Sequence, residues 1–215
     1  MESSSKALIL GAGKPHFGIK HSALLSSGNG LVLDWLLKTI STTCSQIQFI
    51  GGYKVEEIAR HYSDLTVLHN TNWESTRAAG SLFLSNYSYD EAVIVCYADI
   101  LFRENLLKLV DQSTTDIVVA VDSLWKQRFL GRTNSDFQEA EKVVMHKGVL
   151  LGLGQAYDVD VASAEFVGLV KFSKVVWRFL GHLPKDKRKL LADKNLSDLI
   201  EFLRLSGFSV SYVDA

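Results

Sequence analysis

The sequence predicts an α/β layered fold built on a parallel sheet, and three observations predict it. Short β-rich apolar runs alternate with segments of helical period. The runs are apolar on both faces, as strands of a covered parallel sheet must be. Only two prolines, Pro15 and Pro184, and no repetitive or Ser/Gly-rich stretch break the chain, so no linker divides its 215 residues and residues 1–215 are read as a single domain.

The first run is Ala7-Leu8-Ile9-Leu10, and the first helical period covers Leu31 to Ile40, with Leu33, Leu36, Leu37 and Ile40 on one stripe. Ile47 to Ile50 then precedes a helix over Val55 to Tyr62. Ala92 to Cys96 precedes one over Arg103 to Val110, and Asp116 to Val121 reads as a further strand. The last third reads as strands near Val143 to Leu151 and Phe166 to Phe172, helices over Val175 to Leu183 and Leu196 to Ser206, and a closing strand from Val210. In such a fold ligands bind beyond the carboxyl ends of the strands. The loops after Leu10, Ile50 and Cys96 are therefore the expected site.

Composition narrows the function classes. Hydrophobic residues make up 47% and charged residues 22%, an ordinary globular balance that can bury a core. With 23 Lys+Arg against 24 Asp+Glu the net charge is -1, so no global field gathers nucleic acid or anionic lipid. No apolar run approaches the ~20 residues that span a bilayer. Cys44 and Cys96 are far apart and lack a CxxC partner, which argues against a disulfide framework or zinc site and for core positions in a reducing, cytoplasmic compartment. Neither HExxH nor GxSxG occurs, so metalloprotease and serine-hydrolase chemistry lose support.

Several segments can carry chemistry. Leu10-Gly11-Ala12-Gly13-Lys14 is a glycine turn directly after a strand, where backbone N–H groups can approach phosphate oxygens beside a lysine. It matches neither the Walker loop nor the dinucleotide fingerprint, and an ordinary tight turn is the competing reading. Asp99 in Tyr97-Ala98-Asp99 ends a strand. It is either a carboxylate for Mg²⁺, which takes one or two protein carboxylates plus substrate phosphates, or an N-cap. Gly51-Gly52-Tyr53-Lys54, Asn70 to Trp73 and Gly80-Ser81 are loop-type positions able to face a base edge, or else turn chemistry and a capped helix start. Asp122 with Trp125, and Glu165 beside its apolar stretch, suit a cationic group. Glu139 and Glu141 read as solvated surface, and Lys185 to Lys189 as a solvated helix flank.

In order along the chain, ALILGAGK (Ala7 to Lys14), IGGYK (Ile50 to Lys54), HNTNW (His69 to Trp73), GSL (Gly80 to Leu82), YADILF (Tyr97 to Phe102), VAVDSLW (Val119 to Trp125), EKV (Glu141 to Val143) and EFVGLVKFS (Glu165 to Ser173) resemble the MobA-like and sugar-nucleotidyltransferase superfamily. The GYK, YxDILF, DxxW and EFxGL signatures are most similar to cytidylyltransferases acting on phosphocholine or the phosphonates 2-aminoethylphosphonate and 2-hydroxyethylphosphonate. In the phosphonate branch such a domain is sometimes fused to a phosphoenolpyruvate mutase.

The resemblance implies a Rossmann-like, mostly parallel but mixed sheet between helix layers. It implies transfer of CMP from CTP to a small phosphonate or phosphate monoester, with Mg²⁺ as cofactor, pyrophosphate as leaving group, and neither nucleic acid nor membrane as partner. Fusion to, or association with, another biosynthetic domain is also implied as an arrangement open to this chain. Leu10, Gly11, Ala12, Gly13, Gly52, Asn70, Gly80, Ser81, Tyr97 and Ala98 would then serve the nucleotide. Lys14 or Lys20 would neutralise the triphosphate, Asp99 would hold the metal, and Asp122, Trp125 and Glu165 would face the acceptor. The family's closing Trp-x-Glu-Ile-Asp segment, source of a second metal ligand, has no counterpart before Ala215, and Asp214 lies early for that role. Alternatives within the resemblance are a sugar-1-phosphate nucleotidyltransferase and a nucleotide-binding domain without turnover.

Overall fold

The structure, a computed structural model, describes residues 5–15 and 19–215. Its elements run β1 (Lys6–Gly11), a single 3₁₀ turn (Ser22–Leu24), the short hairpin β2 (Ser26–Ser27) and β3 (Gly30–Leu31), α1 (Val32–Ile40), β4 (Gln46–Gly51), α2 (Val55–His61), β5 (Thr66–His69), α3 (Ala78–Leu82), β6 (Val93–Tyr97), α4 (Glu104–Gln112) and β7 (Ile117–Asp122). They continue with α5 (Trp125–Arg128), α6 (Asn134–Glu139), β8 (Lys142–His146), β9 (Val149–Gly154), β10 (Ala164–Phe172), α7 (Lys174–His182), α8 (Lys185–Leu191), α9 (Leu196–Leu205) and β11 (Val210–Asp214).

The main sheet has the order β5-β4-β1-β6-β10-β7-β11, with the β8–β9 hairpin attached at β10. β1 pairs in parallel with β4 on one side and β6 on the other. The chain thus reverses its direction of growth at β1, and the crevice at the carboxyl ends of β1 and β6 is where such sheets bind ligands. β10 runs antiparallel to both β6 and β7, while β11 returns parallel to β7. The fold is therefore the mixed, mostly parallel α/β sheet expected.

Alternation along each strand divides the core. Leu8 and Leu10 of β1 join Val93, Val95, Val119 and Val121 under α3, α7 and α9. Ala7 and Ile9 join Ile94, Cys96, Val118 and Ala120 under α1, α2 and α4. Helix periodicity supplies the matching stripes: Leu33, Leu36 and Ile40 on α1, and Leu106, Leu107 and Val110 on α4, are all buried. Each such side chain contributes about 1.5–3 kcal/mol on full burial. Both cysteines are buried in this core, and burial pushes their thiols up.

The expected strand from Val143 to Leu151 is two strands. Lys147 and Gly148 both have positive φ, 48° and 79°, the signature of a two-residue hairpin turn whose twist matches its strands. A glycine was the local signal, masked by apolar residues on both sides. β5, α3, α5 and α6 also lie outside the elements expected from periodicity, being too short for a window of helical or strand period to register. Among the described residues no helix is long and apolar enough to cross a membrane.

Candidate active site

Three adjoining cavities open at the carboxyl ends of the central strands. The first, of about 620 Å³, is lined by Leu10, Gly11, Gly13, Lys14 and Pro15 of the glycine turn, and by Ala98 and Asp99 after β6. The second, of about 380 Å³, takes Leu10, Ala12 and Gly13 from the same turn together with Trp73, Thr76, Arg77, Ala78, Ser81, Tyr97 and Asn195. The third, of about 680 Å³, is lined by Tyr97, Asp99, Asp122, Arg128, Arg132, Glu139, Glu141, Gln155, Glu165 and Asn195, among others. Asp99 belongs to both the first and the third.

The glycine turn is shaped by close approach. A Cβ on Gly11 would run into the Phe49 ring and lie 2.8 Å from the Ala98 Cβ, so only glycine lets β1 end flush against β6. Buried His21 donates from Nε2 to the Gly11 carbonyl at 2.8 Å while its Nδ1 accepts from Ala23 N, and its burial holds the ring below its ordinary pKa. Tyr53 closes the other side: its N–H donates to the Ala12 carbonyl at 2.9 Å and its hydroxyl to that of Ile19 at 3.0 Å. Lys14 lies with its ammonium 5.9 Å from the Tyr53 ring centre. Lys14 lines the first cavity, whereas Lys20 is exposed and lines none of the three.

Three further predicted positions act beneath the surface. Gly52 lines none of the three cavities; a Cβ there would run into Trp73 and lie 2.7 Å from the Ala12 carbonyl oxygen. Gly80 lies inside α3 against the Ala192 carbonyl and Thr76. Asn70 is buried, and its amide donates to Thr76 Oγ1 at 2.9 Å and to Ser81 Oγ at 3.0 Å. Asn70 thus presents Ser81 and Thr76, which line the second cavity, and does not line it itself.

Asp99 is exposed and, among the described residues, makes no hydrogen bond or ion pair. It does not cap the next helix, because α4 begins at Glu104 with Arg103 in the cap position. No three His, Cys, Asp or Glu among the described residues converge as a metal cage. An exposed carboxylate in the same cavity as the glycine turn nevertheless fits Mg²⁺, which binds through one or two carboxylates and the substrate's own phosphates. Asp214 accepts from the Ser123 N–H and hydroxyl, at 3.0 and 2.6 Å. It sits on the edge strand, with β7 and β10 between it and β6, and shares no cavity with Asp99.

The charged cavity departs most from expectation. Trp125 does not face it: the side chain is 1% exposed and packs edge-on against Phe129, with Phe137 alongside. The indole is the centre of a satellite core formed by residues between β7 and β10, which is where so large an apolar surface is stable. Asp122 is present, 3% exposed, accepting from Arg128 Nε at 3.0 Å and from the Leu124 N–H at 2.9 Å. Glu165 lies opposite Asp122 across the β10–β7 pairing. Burial first, and Asp122 second, push its carboxyl up to about 7, against the pull of Arg132 and Arg128.

Glu141, expected on the surface, is an interior acceptor for Tyr97 and Ser197. Lys142 beside it is also fully buried, its ammonium donating to the carbonyls of Phe137, Gln138 and Ala140 at the end of α6. Arg77, Arg128, Arg132 and Asn195 are cavity residues the sequence reading missed. Each comes from a distant segment without a motif of its own.

No protein-family model matches this chain. It is 22% identical over 156 residues to the CTP:phosphoglutamine cytidylyltransferase of Campylobacter jejuni, an alignment that covers 67% of this chain and spans 62% of that protein's length. Among solved structures, the inositol-1-phosphate CTP transferase from T. maritima superposes with a TM-score of 0.74 at 16% identity, covering 100% of this chain and 87% of that one. A Bacillus anthracis protein assigned as a glucose-1-phosphate thymidylyltransferase, solved with sucrose, gives 0.74 at 12% identity, covering 98% and 87%. The chain has the fold of these sugar-nucleotidyltransferase-like structures.

Proposed function

We propose that the chain is a Mg²⁺-dependent cytidylyltransferase that transfers CMP from CTP to a small phosphonate or phosphate monoester and releases pyrophosphate. The observation that carries this reading is the position of Asp99, an exposed carboxylate without an ion-pair partner among the described residues, in the wall common to the cavity of the glycine turn and the charged cavity. That is where an α-phosphorus would lie if a triphosphate followed the turn and an acceptor filled the other side. The similarity to a CTP-using cytidylyltransferase supports the choice of nucleotide.

In this reading an acceptor oxygen attacks the α-phosphorus in line, and the bond to the β-phosphate oxygen breaks. The nucleophile is already anionic, so no protein base is required, and positioning plus charge stabilisation carry the reaction. Backbone N–H groups at Gly11 and Gly13 face the triphosphate, and Lys14 neutralises it. Ser81, Thr76 and Arg77 line the smaller cavity, which suits the base. Bound Mg²⁺ would be held by Asp99 and the substrate's phosphates, and would offset charge on the phosphoryl oxygens.

The charged cavity sets two guanidinium groups, Arg128 and Arg132, among the carboxylates of Asp99, Asp122, Glu139, Glu141 and Glu165. That combination suits an acceptor with a phosphoryl end and a cationic end, such as phosphocholine or 2-aminoethylphosphonate. It serves 2-hydroxyethylphosphonate and a sugar 1-phosphate, which have no cationic end, less well. The test is pyrophosphate release with Mg²⁺ across the four ribonucleoside triphosphates, each offered phosphocholine, both phosphonates, a phosphorylated amino-acid amide and a sugar 1-phosphate. Turnover with CTP and a cationic acceptor is expected. Turnover confined to a sugar 1-phosphate, or none in any combination, would overturn the reading.

A further inference from the structure

The smaller cavity and the charged cavity are separated by a wall, and Tyr97 and Asn195 are the residues that line both. Tyr97 is gripped from two sides. Its hydroxyl donates to Glu141 Oε2 at 2.8 Å. The other oxygen of that carboxylate accepts from the Ser197 hydroxyl at 2.5 Å and from the Ser197 N–H at 3.2 Å. Ser197 lies in the first turn of α9, where backbone N–H groups have no partner within the helix. One half-buried carboxylate therefore satisfies a helix end and orients a tyrosine at once.

The opposite face of the ring is set by Gly168. Its φ is +87°, and a Cβ there would lie 3.0 Å from Tyr97 Cγ, so the ring occupies the space another residue's side chain would need. Phe166, two residues earlier on β10, meets the ring edge-on with centroids 6.3 Å apart. The same end of α9 also fixes the second wall residue: Asn195 stands in its N-cap position and accepts from Arg77 Nη1 at 3.2 Å.

We infer that Glu141, Ser197 and Gly168 are positioning residues that lock Tyr97 in the dividing wall and thereby fix how the base pocket stands relative to the acceptor cavity, and with it the line along which the acceptor approaches the bound nucleotide. This rests on the cytidylyl-transfer reading above. Reacting atoms must sit about 3–3.5 Å apart, and a misplacement near 1 Å costs on the order of 100-fold in rate. Tightness in this wall is therefore worth more than its contribution to packing.

The experiment compares the wild type with Tyr97→Phe, Glu141→Gln and the double variant. It measures kcat, the KM of each substrate, and the ratio of CMP–acceptor product to free CMP formed by water. Each single change keeps the shape of its side chain. Each is expected to lower kcat about 10- to 100-fold, to leave the KM for CTP within about threefold, and to raise the share of free CMP. The double variant should be no worse than the worse single, because both changes break one shared bond. Ser197→Thr should retain more activity than Ser197→Ala. Losses that multiply in the double variant, or variants that turn over like wild type with only a lower Tm, would overturn the bracket. A wild type inactive with every acceptor would instead overturn the transfer reading, and the bracket with it.

Discussion

The two halves of the site are built in opposite ways. The glycine-turn side is made of backbone and short side chains, held by its neighbours: Gly11 against Phe49, His21 on the Gly11 carbonyl, Tyr53 on the carbonyls of Ala12 and Ile19. The other side is made of long charged side chains, Asp122, Arg128, Arg132 and Glu165, two of them supplied by the segment between β7 and β10. A triphosphate presents the same oxygens whatever is transferred to, so a fixed backbone cradle suits it. Asp122 and Glu165 are fixed by the β7–β10 pairing, whereas Arg128 and Arg132 lie outside the sheet and can change without disturbing it, and that is where acceptor preference can vary in the proposed reaction.

The contrast is broken most severely at the seam. Asp99→Asn removes an exposed carboxylate that makes no hydrogen bond or ion pair among the described residues, so Tm should be nearly unchanged while kcat falls by about 100-fold or more; turnover near wild type would remove Asp99 from the metal role. Next in size is Trp125→Ala, which empties the satellite core and should cost about 3–5 kcal/mol of stability in denaturant unfolding. Trp125→Phe should keep the acceptor KM close to wild type. A specific rise in acceptor KM would return Trp125 to the cavity wall.

On the cradle side, Gly11→Ala forces a methyl toward Phe49 and Ala98, a cost of about 1–3 kcal/mol for overpacking, accompanied by weaker CTP binding in calorimetry. The smallest effect belongs to Glu165. Its carboxyl is raised from 4.5 to about 7, so the native state holds a proton that the unfolded chain has released. Between those values stability should fall as pH rises, and Glu165→Gln should flatten the decline. In the same window affinity for a cationic acceptor should rise with pH as Glu165 ionises, with Asp122, Glu141, Lys142, Arg128 and Arg132 as charged groups around it. A pH-independent acceptor KM in the wild type would remove Glu165 from acceptor binding.

The same contrast explains what could be read from the sequence. The strands Ala7 to Leu10 and Ala92 to Cys96 announce themselves because both faces are buried, and the glycine turn and Asp99 follow them directly. The fold class came from that local pattern. The charged cavity has no such signature. Arg77, Arg128, Arg132 and Asn195 converge only through tertiary packing, and Glu141 looks like any surface glutamate until α9 folds over it. Trp125 misleads for the converse reason: an aromatic three residues past β7 can turn toward a ligand or into a satellite core, and only packing with Phe129 and Phe137 decides. Lys147-Gly148 was hidden because the strands on either side of the turn are both apolar.

The most direct test of CMP transfer is phosphorus NMR of the wild type with CTP, Mg²⁺ and each cationic acceptor in turn. The expected result is loss of the CTP resonances with matched growth of pyrophosphate and of two mutually coupled signals from a new CMP–acceptor linkage, absent with Asp99→Asn. CTP left intact with every acceptor, or CMP and pyrophosphate formed without a coupled product, would contradict it.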